Sequence, residues 1–346
     1  MSDSVKKKRK KFKKSTQAKK KSELDAQNSQ TQTDKRIFLD WNFHHFSVTR
    51  RTIFKFALFL LPLNFILLFS VIYLYQKSIK PQKDITVLGS DVFVFPEVKD
   101  PKNIFVSTPS YIVYEVQSRV VVSEKNSDLR FSPASSAKIM TALVAMDYYD
   151  TSQTLKVPSL ASVEGSNMGL FENEEIKIEN LLYGLMLPSG NDAAYTLAVN
   201  YKSGYEDFVE AMNEKAKLLK LENTLFTDPA GFEDSNYTTA YDMARLGAYA
   251  ISNTEFAKIV STKNIIVSDI TGKFTHDLSN LNELLGINGV DGIKTGFTEE
   301  AGGVLVTSVL HEGRHYIIVL FKSDDRFADT RSILESIISS IRLIRY

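Results

Sequence analysis

The chain has 346 residues, of which 43% are hydrophobic and 24% are charged, and its formal net charge is +1. These proportions are those of a folded protein with a sizeable apolar core, and they exclude a chain that is disordered throughout. Because the chain contains no cysteine, disulfide bonds, thiolate catalysis and cysteine-ligated metal centres are excluded as well.

Residues 1–50 predict a disordered basic tail. Residues 6–11 read KKKRKK, and few apolar residues surround them, so the segment cannot bury enough surface to fold. We interpret it as a cytoplasmic tail that favours anionic lipid. Nucleic-acid binding is the alternative, and we do not expect it, because no aromatic platform or recognition helix accompanies the lysines.

Residues 51–76 predict a transmembrane signal anchor. No charged residue occurs from 56 to 75, a stretch that spans ~30 Å as a helix and is long enough to cross a bilayer. The stretch exceeds the apolar region of a cleaved signal peptide, and no small-x-small cleavage site follows it; a buried globular helix is the other alternative. More basic residues precede the span than follow it, so we expect a single-pass protein with residues 77–346 outside the cytoplasm.

Residues 77–108 predict a stalk of mixed polarity, and residues 109–346 predict one domain. The domain opens with a β-rich hairpin over residues 112–122, continues with helices and ends mainly in strands. The predicted helices cover residues 133–146, 176–186, 192–201, 205–219 and 329–342, and the later strands cover residues 292–295, 304–310 and 316–321. Helices between a leading hairpin and trailing antiparallel strands imply a single α/β (α+β) sandwich.

Ser135 and Lys138 form an S-x-x-K motif at the start of a predicted helix. Their side chains lie one turn apart on the same face, so the lysine is placed to act on a hydroxyl that is a poor nucleophile until a base removes its proton. A lysine ordinarily titrates near ~10.4, and burial or a second cation such as Lys294 would lower that pKa. The alternative, a helix-start serine with a surface lysine, fits poorly because this helix is apolar almost all round.

Ser189-Gly190-Asn191 is the second polar motif, and it follows a proline between two predicted helices. As catalytic groups, Ser189 would relay a proton to the leaving group, while Asn191 would bind the substrate amide and orient Lys138. An ordinary turn with a helix cap is the alternative interpretation.

Lys294-Thr295-Gly296 is the third motif, and it lies on a predicted strand bounded by glycines. Lys294 and Thr295 would bind a terminal carboxylate, and Gly296 would let the substrate backbone approach closely. An exposed strand end is the alternative.

The order S-x-x-K, S-x-N, K-T-G matches the signature of serine enzymes that acylate themselves on peptidoglycan stems or on penicillin. Residues 133–141, 182–194 and 290–297 resemble the three motif segments of serine-type D-alanyl-D-alanine carboxypeptidases, the low-molecular-mass penicillin-binding proteins. This resemblance implies a penicillin-binding transpeptidase or β-lactamase-like fold, in which a five-stranded antiparallel sheet is flanked by helices and joined by an all-helical lobe. It implies no cofactor and no metal.

The resemblance also implies an oxyanion hole formed by the backbone N–H groups of Ser135 and Phe297. Phe297 stands where members of that family often have histidine or tyrosine, so only its backbone role is carried over. Many members have a further carboxy-terminal β-domain and an amphipathic membrane helix, and we expect the amino-terminal anchor to replace that tether.

The function implied by the resemblance is a bacterial membrane-anchored carboxypeptidase that removes the terminal D-alanine from peptidoglycan stem peptides through an acyl-enzyme on Ser135. Its expected partners are those stem peptides, β-lactam antibiotics and the cytoplasmic membrane. D,D-endopeptidase action remains an alternative. A class A-like β-lactamase is a further alternative, although Gly190 stands where that class has aspartate and neither Glu222 nor Glu233 lies in an E-x-x-L-N setting. The non-enzymatic alternative is an inactive wall-binding scaffold.

Residues 311–315 read H-E-G-R-H and fit the zinc-protease string H-E-x-x-H. That motif binds zinc on a helix, where both imidazoles share a face. Here the string lies between two alternating β-runs, with Gly313 in the predicted turn. We therefore predict a hairpin with exposed histidines and no metal site.

Overall fold

The computed structural model describes residues 94–99 and 104–345. These residues all belong to one compact unit. The predicted basic tail and transmembrane anchor, residues 1–50 and 51–76, lie outside the described residues. Within the described ranges, none of the helices combines the length and the apolar character needed to cross a membrane.

The described chain alternates between strands and helices. The strands are β1 (Val94–Val98), β2 (Ser110–Glu115), β3 (Val121–Lys125), β4 (Thr154–Lys156), β5 (Glu175–Lys177), β6 (Asn264–Ser268), β7 (Thr275–Ser279), β8 (Val290–Thr298), β9 (Gly302–His311), β10 (Arg314–Ser323) and β11 (Ile341–Arg345). The helices are α1 (Lys138–Tyr148), α2 (Ile178–Met186), α3 (Asn191–Val199), α4 (Tyr205–Leu218), α5 (Ala240–Ile251), α6 (Thr254–Val260) and α7 (Arg326–Ser336), with 3-10 turns at Ala134–Ala137 and Ile338–Ser340.

The central sheet has five strands in the order β3-β2-β10-β9-β8, and every neighbouring pair is antiparallel. The predicted five-stranded antiparallel sheet is therefore confirmed. β8 lies at one edge of this sheet, so only one of its sides pairs with a strand. Its other side is free to face the turn at Ala134–Ala137, against which it packs.

Both faces of the sheet are covered, and this explains why all six residues of β2 are buried. Ile112 and Tyr114 contribute to the core that holds the helices from α1 to α6. Tyr111 and Val113, which alternate with them, contribute to a second core against α7. A strand buried on both faces carries a nearly continuous apolar run instead of alternating apolar and polar residues.

The helix α1 crosses the middle of the domain and packs against α2, α4, α5 and α3. Every residue from Lys138 to Ala145 is buried, so the apolar character that the sequence shows on all sides of this helix is explained by neighbours on all sides. A lysine at the first position of such a helix has no direct path to bulk water.

The end of the chain differs from the prediction. The predicted helix over residues 329–342 is wrong at both ends: α7 begins earlier, where Asp325 caps the backbone N–H groups of Phe327 and Ala328, and it ends at Ser336. A 3-10 turn and β11 follow, and β11 pairs antiparallel with β1. The chain after residue 336 is rich in β-branched isoleucine, and its hydrogen bonding to β1 stabilises a strand there more than helix propensity stabilises a longer α7.

The predicted stalk, residues 77–108, is described only at residues 94–99 and 104–108. Residues 94–98 of it form β1. Ser107 and Thr108 donate their backbone N–H groups to the carboxylate of Asp329 at 2.9 Å each. The segment just before β2 is therefore hydrogen-bonded to α7.

Candidate active site

Ser135 lies in the 3-10 turn Ala134–Ala137, immediately before α1. Ala134 has a φ of +45°, a conformation that is costly for a residue with a side chain and that recurs at functional sites. The turn is pressed against β8: a Cβ atom added to Gly296 would lie 3.1 Å from the backbone nitrogen of Ser135. A side chain at position 296 would therefore require this turn to shift by a few tenths of an ångström.

Lys138 is completely buried, and its Nζ has three oxygen neighbours. Ser135 Oγ lies at 3.1 Å, Asn191 Oδ1 at 2.7 Å and the carbonyl oxygen of Ala230 at 2.9 Å. The amide of Asn191 is oriented by its other end, because Asn191 Nδ2 donates to the carbonyl oxygen of Glu164 at 2.7 Å.

The three oxygen neighbours fit both protonation states of Lys138, and the neutral state is the one that can act as a base. A neutral amine has two N–H donors and one lone pair, whereas a carbonyl oxygen is only an acceptor. As an ammonium group, Lys138 Nζ donates to all three oxygens. As a neutral amine it donates to the oxygens of Asn191 and Ala230, and its lone pair accepts the hydroxyl hydrogen of Ser135. This is the arrangement that a general base requires.

The pKa of Lys138 fits the same protonation state. Burial lowers this pKa from 10.5 to about 7, against the opposing effect of the negative charges of Asp228 and Asp192. A substantial fraction of the amine is therefore neutral near pH 7.

Ser189 lies in the loop between α2 and α3 and is buried, with a φ of +66°. Its Oγ has no hydrogen-bond partner among the described residues. An unpartnered buried hydroxyl is uncommon in a folded protein. Two residues with a positive φ thus lie at the site: Ala134 one residue before Ser135, and Ser189 two residues before Asn191.

Lys294 is buried on β8, and its Nζ donates to the carbonyl oxygen of Thr295 at 3.1 Å. Burial lowers the pKa of Lys294 well below its ordinary value, and the positive charges of Lys138 and Arg326 lower it further. Lys294 is therefore close enough to Lys138 to respond to its charge. Thr295 is buried beside Lys294, while the side chain of Phe297 is 63% exposed.

A cleft of about 790 Å³ is lined by Ser135, Asn191 and Phe297 of the predicted site, while the buried Lys138, Ser189 and Lys294 lie behind its surface. Its walls carry two exposed phenylalanines, Phe232 and Phe297, and several carboxylates at the rim. The lining residues are Ser135, Gly165, Ser166, Asn191, Ala230, Gly231, Phe232, Glu233, Asp234, Phe297, Thr298, Glu299 and Glu300. The serine that the sequence singles out is thus accessible to a ligand of peptide size.

Two groups at the site were missed by the sequence reasoning. The Ala230 carbonyl is a backbone atom, and no side-chain pattern announces it. Arg326, the first residue of α7, lies near the third motif, with Nη1 3.5 Å from the carbonyl oxygen of Gly296 and with its buried Nε unpartnered among the described residues. It belongs to no motif and reaches the site only because α7 begins beside β8 and β9.

The H-E-x-x-H string lies in the β9–β10 hairpin, as predicted, with Glu312 and Gly313 in the turn. The histidines are partly buried instead of exposed, and His315 Nε2 lies 3.1 Å from Asp291 Oδ2. Across residues 94–99 and 104–345, no group of three histidine, aspartate or glutamate side chains is arranged to hold a metal ion.

The family model described as Peptidase_S11, D-alanyl-D-alanine carboxypeptidase, matches residues 97–325. The D-alanyl-D-alanine carboxypeptidase DacF of Bacillus subtilis is 35% identical over 220 residues, which are 61% of this chain and 56% of that protein. The D-alanyl-D-alanine endopeptidase of Escherichia coli is 28% identical over 232 residues, 65% of this chain and 75% of that protein. The chain thus spans little more than half of the DacF sequence.

The crystal structure of the Streptomyces K15 DD-transpeptidase is similar to this structure, with a TM-score of 0.64 and 28% sequence identity. The superposition covers 68% of this chain and 98% of that chain. The penicillin-binding fold implied by the sequence motifs is therefore confirmed.

Proposed function

The chain belongs to the D-alanyl-D-alanine carboxypeptidase family of serine peptidases, and we propose that it removes the terminal D-alanine from peptidoglycan stem peptides through an acyl-enzyme on Ser135. The observation that carries this proposal is the hydrogen bonding of Lys138. Its Nζ lies 3.1 Å from Ser135 Oγ, and its other two oxygen neighbours are pure acceptors, so in the neutral amine the lone pair would face Ser135.

In the proposed acylation step, Lys138 takes the hydroxyl proton as Ser135 Oγ attacks the carbonyl carbon between the two D-alanines. The backbone N–H groups of Ser135 and Phe297 stabilise the negative charge that develops on the carbonyl oxygen. The proton then reaches the departing amine, and Ser189 Oγ is the group available to relay it because it has no other partner among the described residues. Water hydrolyses the resulting ester, and the same lysine serves as the base.

The strand wall of the cleft would select the free end of the peptide. The charged groups that influence the pKa of Lys294 are Lys138 and Arg326, with no carboxylate among them, and Thr295 adds a hydroxyl. A terminal carboxylate would supply the missing negative charge. This supports action on a peptide whose residue after the scissile bond carries a free carboxylate, as the terminal D-alanine of a stem peptide does.

The site also bears on the β-lactamase alternative. Gly190 has no side chain to fill the position of the aspartate in class A enzymes, and a Cβ atom there would meet Asp192 Oδ1 at 2.7 Å and the carbonyl oxygen of Gly184 at 2.9 Å. We expect β-lactams to acylate Ser135 and to be released slowly.

We also propose that residues 51–76 anchor the protein in the bacterial cell membrane, with the catalytic domain outside the cytoplasm. The charge-free stretch and its basic flanks support this proposal. Protease added to intact cells should digest the catalytic domain, and alkaline carbonate should leave the chain in the membrane fraction. Release by carbonate would contradict the anchor.

The decisive experiment uses the full chain in detergent with a stem pentapeptide that ends in D-Ala-D-Ala. We expect release of one D-alanine per peptide and covalent labelling by a fluorescent penicillin. Ser135→Ala should abolish both signals while the thermal unfolding curve stays that of a folded protein. A folded wild-type chain that neither releases D-alanine nor takes up the label would show that the site is silent and that the scaffold alternative is correct.

A further inference from the structure

A buried carboxylate organises the loop that supplies one of the two acceptors of Lys138. Asp228 is buried, and its two oxygens accept four hydrogen bonds. Oδ1 accepts from the backbone N–H groups of Ala230 at 2.7 Å and Phe232 at 3.2 Å. Oδ2 accepts from the backbone N–H of Glu233 at 2.8 Å and from Asn236 Nδ2 at 2.6 Å. Loss of this carboxylate would leave all four donors unsatisfied.

The loop that Asp228 holds is docked on the face of α1 that carries the general base. The carbonyl oxygen of Pro229 accepts from Thr141 Oγ1 at 2.5 Å, and that of Ala230 accepts from Lys138 Nζ at 2.9 Å. Lys138 and Thr141 are three residues apart and therefore share this face. Two consecutive carbonyl groups are thus aimed at one helix face.

The loop also contacts the turn that carries the nucleophile. Gly231 has a φ of +73°, and a Cβ atom there would lie 1.9 Å from the carbonyl oxygen of Ala134. The loop cannot move toward this turn and cannot accept a side chain at that position. Its geometry is therefore coupled to both Ser135 and Lys138.

Asp228 also places a negative charge near Lys138. It is the largest influence that raises the pKa of this lysine, and Asp192 is the second. Asp192 belongs to the opposite wall, where it accepts from the backbone N–H groups of Met168, Gly169 and Leu170. Lys294 also lies near, because the charge of Lys138 lowers its pKa.

We propose that Asp228 is a positioning residue for Lys138: its carboxylate fixes the loop whose Ala230 carbonyl orients the amine. This inference rests on the proposed role of Lys138 as the general base. Asp228 lies outside the three motifs, and we expect it to influence the pH range in which the enzyme is active.

The test compares Asp228→Asn with the wild-type chain over a range of pH. The amide removes the charge, and its NH2 group faces donors where an acceptor was present. We expect the rate of acylation by a fluorescent penicillin at its optimum to fall about tenfold. On the acid side of the pH profile the rate falls as Lys138 becomes protonated, and we call this part the acidic limb. We expect its midpoint to shift to a pH about one unit lower, because loss of a nearby negative charge lowers the pKa of an ammonium group.

Two further variants separate the charge from the shape of the loop. Asn236→Ala removes one of the four hydrogen bonds without changing the charge, so it should lower the rate and leave the acidic limb in place. Asp228→Glu keeps the charge with a longer side chain, and it should restore the limb while the rate stays reduced. If Asp228→Asn does not fold, Asp228→Ser takes its place, since it keeps an oxygen acceptor near the Ala230 N–H.

A second measurement does not depend on activity. The Lys138 ammonium is titrated by NMR in protein labelled with carbon-13 at the lysine ε position, with Lys138→Met used to assign the signal. The midpoint should be lower in the folded Asp228→Asn variant than in the wild type, and an unchanged midpoint would overturn the inference even in an active enzyme. Absence of penicillin labelling in the wild type would instead overturn the proposed function, and the titration would still decide the effect of Asp228.

Discussion

We call the side of the cleft next to α1 the helix wall and the side formed by β8 the strand wall. Each wall contains one fully buried lysine, and the two lysines differ in the groups that surround them. Lys138, on the helix wall, has three oxygen atoms within 3.1 Å and two carboxylates among its charged neighbours. Lys294, on the strand wall, has one backbone carbonyl oxygen, and the charged groups that influence it are both cations. Burial alone lowers both pKa values.

The difference shows that burial lowers the pKa of either lysine, whereas the neighbouring charges determine whether it is suited to act as a base or to bind an anion. On the helix wall the carboxylates oppose burial and hold the pKa of Lys138 at about 7, where an amine serves as a base. On the strand wall Lys138 and Arg326 act in the same direction as burial. An anionic ligand would relieve this accumulation of positive charge, so we interpret the strand wall as a receptor for a carboxylate.

The largest expected effect comes from removal of the helix-wall amine. Lys138→Met keeps the apolar stem of the side chain and deletes the base, so we expect the rate of acylation by penicillin to fall by ~10²- to 10⁴-fold, the usual contribution of a general base. Stopped-flow measurement with a fluorescent penicillin gives the rate, and intact-protein mass spectrometry should show that Ser135→Ala forms no adduct at all. Near-normal acylation of Lys138→Met would remove the lysine from the base role.

The pH dependence provides the next test of the helix wall. Because the neutral amine is the active form and its pKa is about 7, acylation should increase with pH up to about 7 and then level off. Well below that pKa the neutral fraction falls tenfold for each pH unit, so the rate at pH 5 should be about 100-fold below the rate at pH 8. The residual acylation of Lys138→Met should lack this limb. A limb centred near pH 10 would mean that burial does not lower the pKa of the lysine.

Removal of the strand-wall lysine should have a smaller and more selective effect. Lys294→Met deletes a charged hydrogen-bond donor worth about 1.5–3 kcal/mol to a carboxylate. We therefore expect kcat/KM for a pentapeptide with a free carboxylate to fall about 10- to 100-fold. The matched control is the same peptide with an amidated end, on which the variant and the wild type should act almost equally. Equal losses on both peptides would show that Lys294 does not recognise the carboxylate.

The central sheet with its helices and the main residues of the site could be predicted from the sequence, because the residues that indicate them lie close together in short motifs. Ser135 and Lys138 are one helical turn apart, and the apolar sequence around them already indicates burial. Asn191 follows a proline that ends one helix, so its place in a loop was also predictable. Each local string fixes its own geometry, and the structure brings the oxygen of Asn191 to within 2.7 Å of the lysine.

The rest depends on contacts between distant segments. The pairing of β1 with β11 joins the two ends of the described chain. Neither strand shows a strong alternating pattern that would reveal its partner. The Ala230 carbonyl is invisible in the sequence because every residue has one. Arg326 follows two aspartates at the start of a helix, and its position beside β8 results from the order of the strands in the sheet.

Arg326 gives the smallest expected effect and sharpens the comparison of the two walls. The Arg326 side chain is partly exposed, and its Nη1 lies at the long distance of 3.5 Å from the Gly296 carbonyl oxygen. Solvent therefore screens its electrostatic interaction with a bound carboxylate. We expect Arg326→Gln to lower kcat/KM for the free-carboxylate peptide by about 2- to 5-fold. The rate of acylation by a β-lactam ester, which has no carboxylate, should stay the same, as should the acidic limb set by Lys138. A shift of that limb would mean that the strand wall tunes the base, and the division of roles between the two lysines would then be wrong.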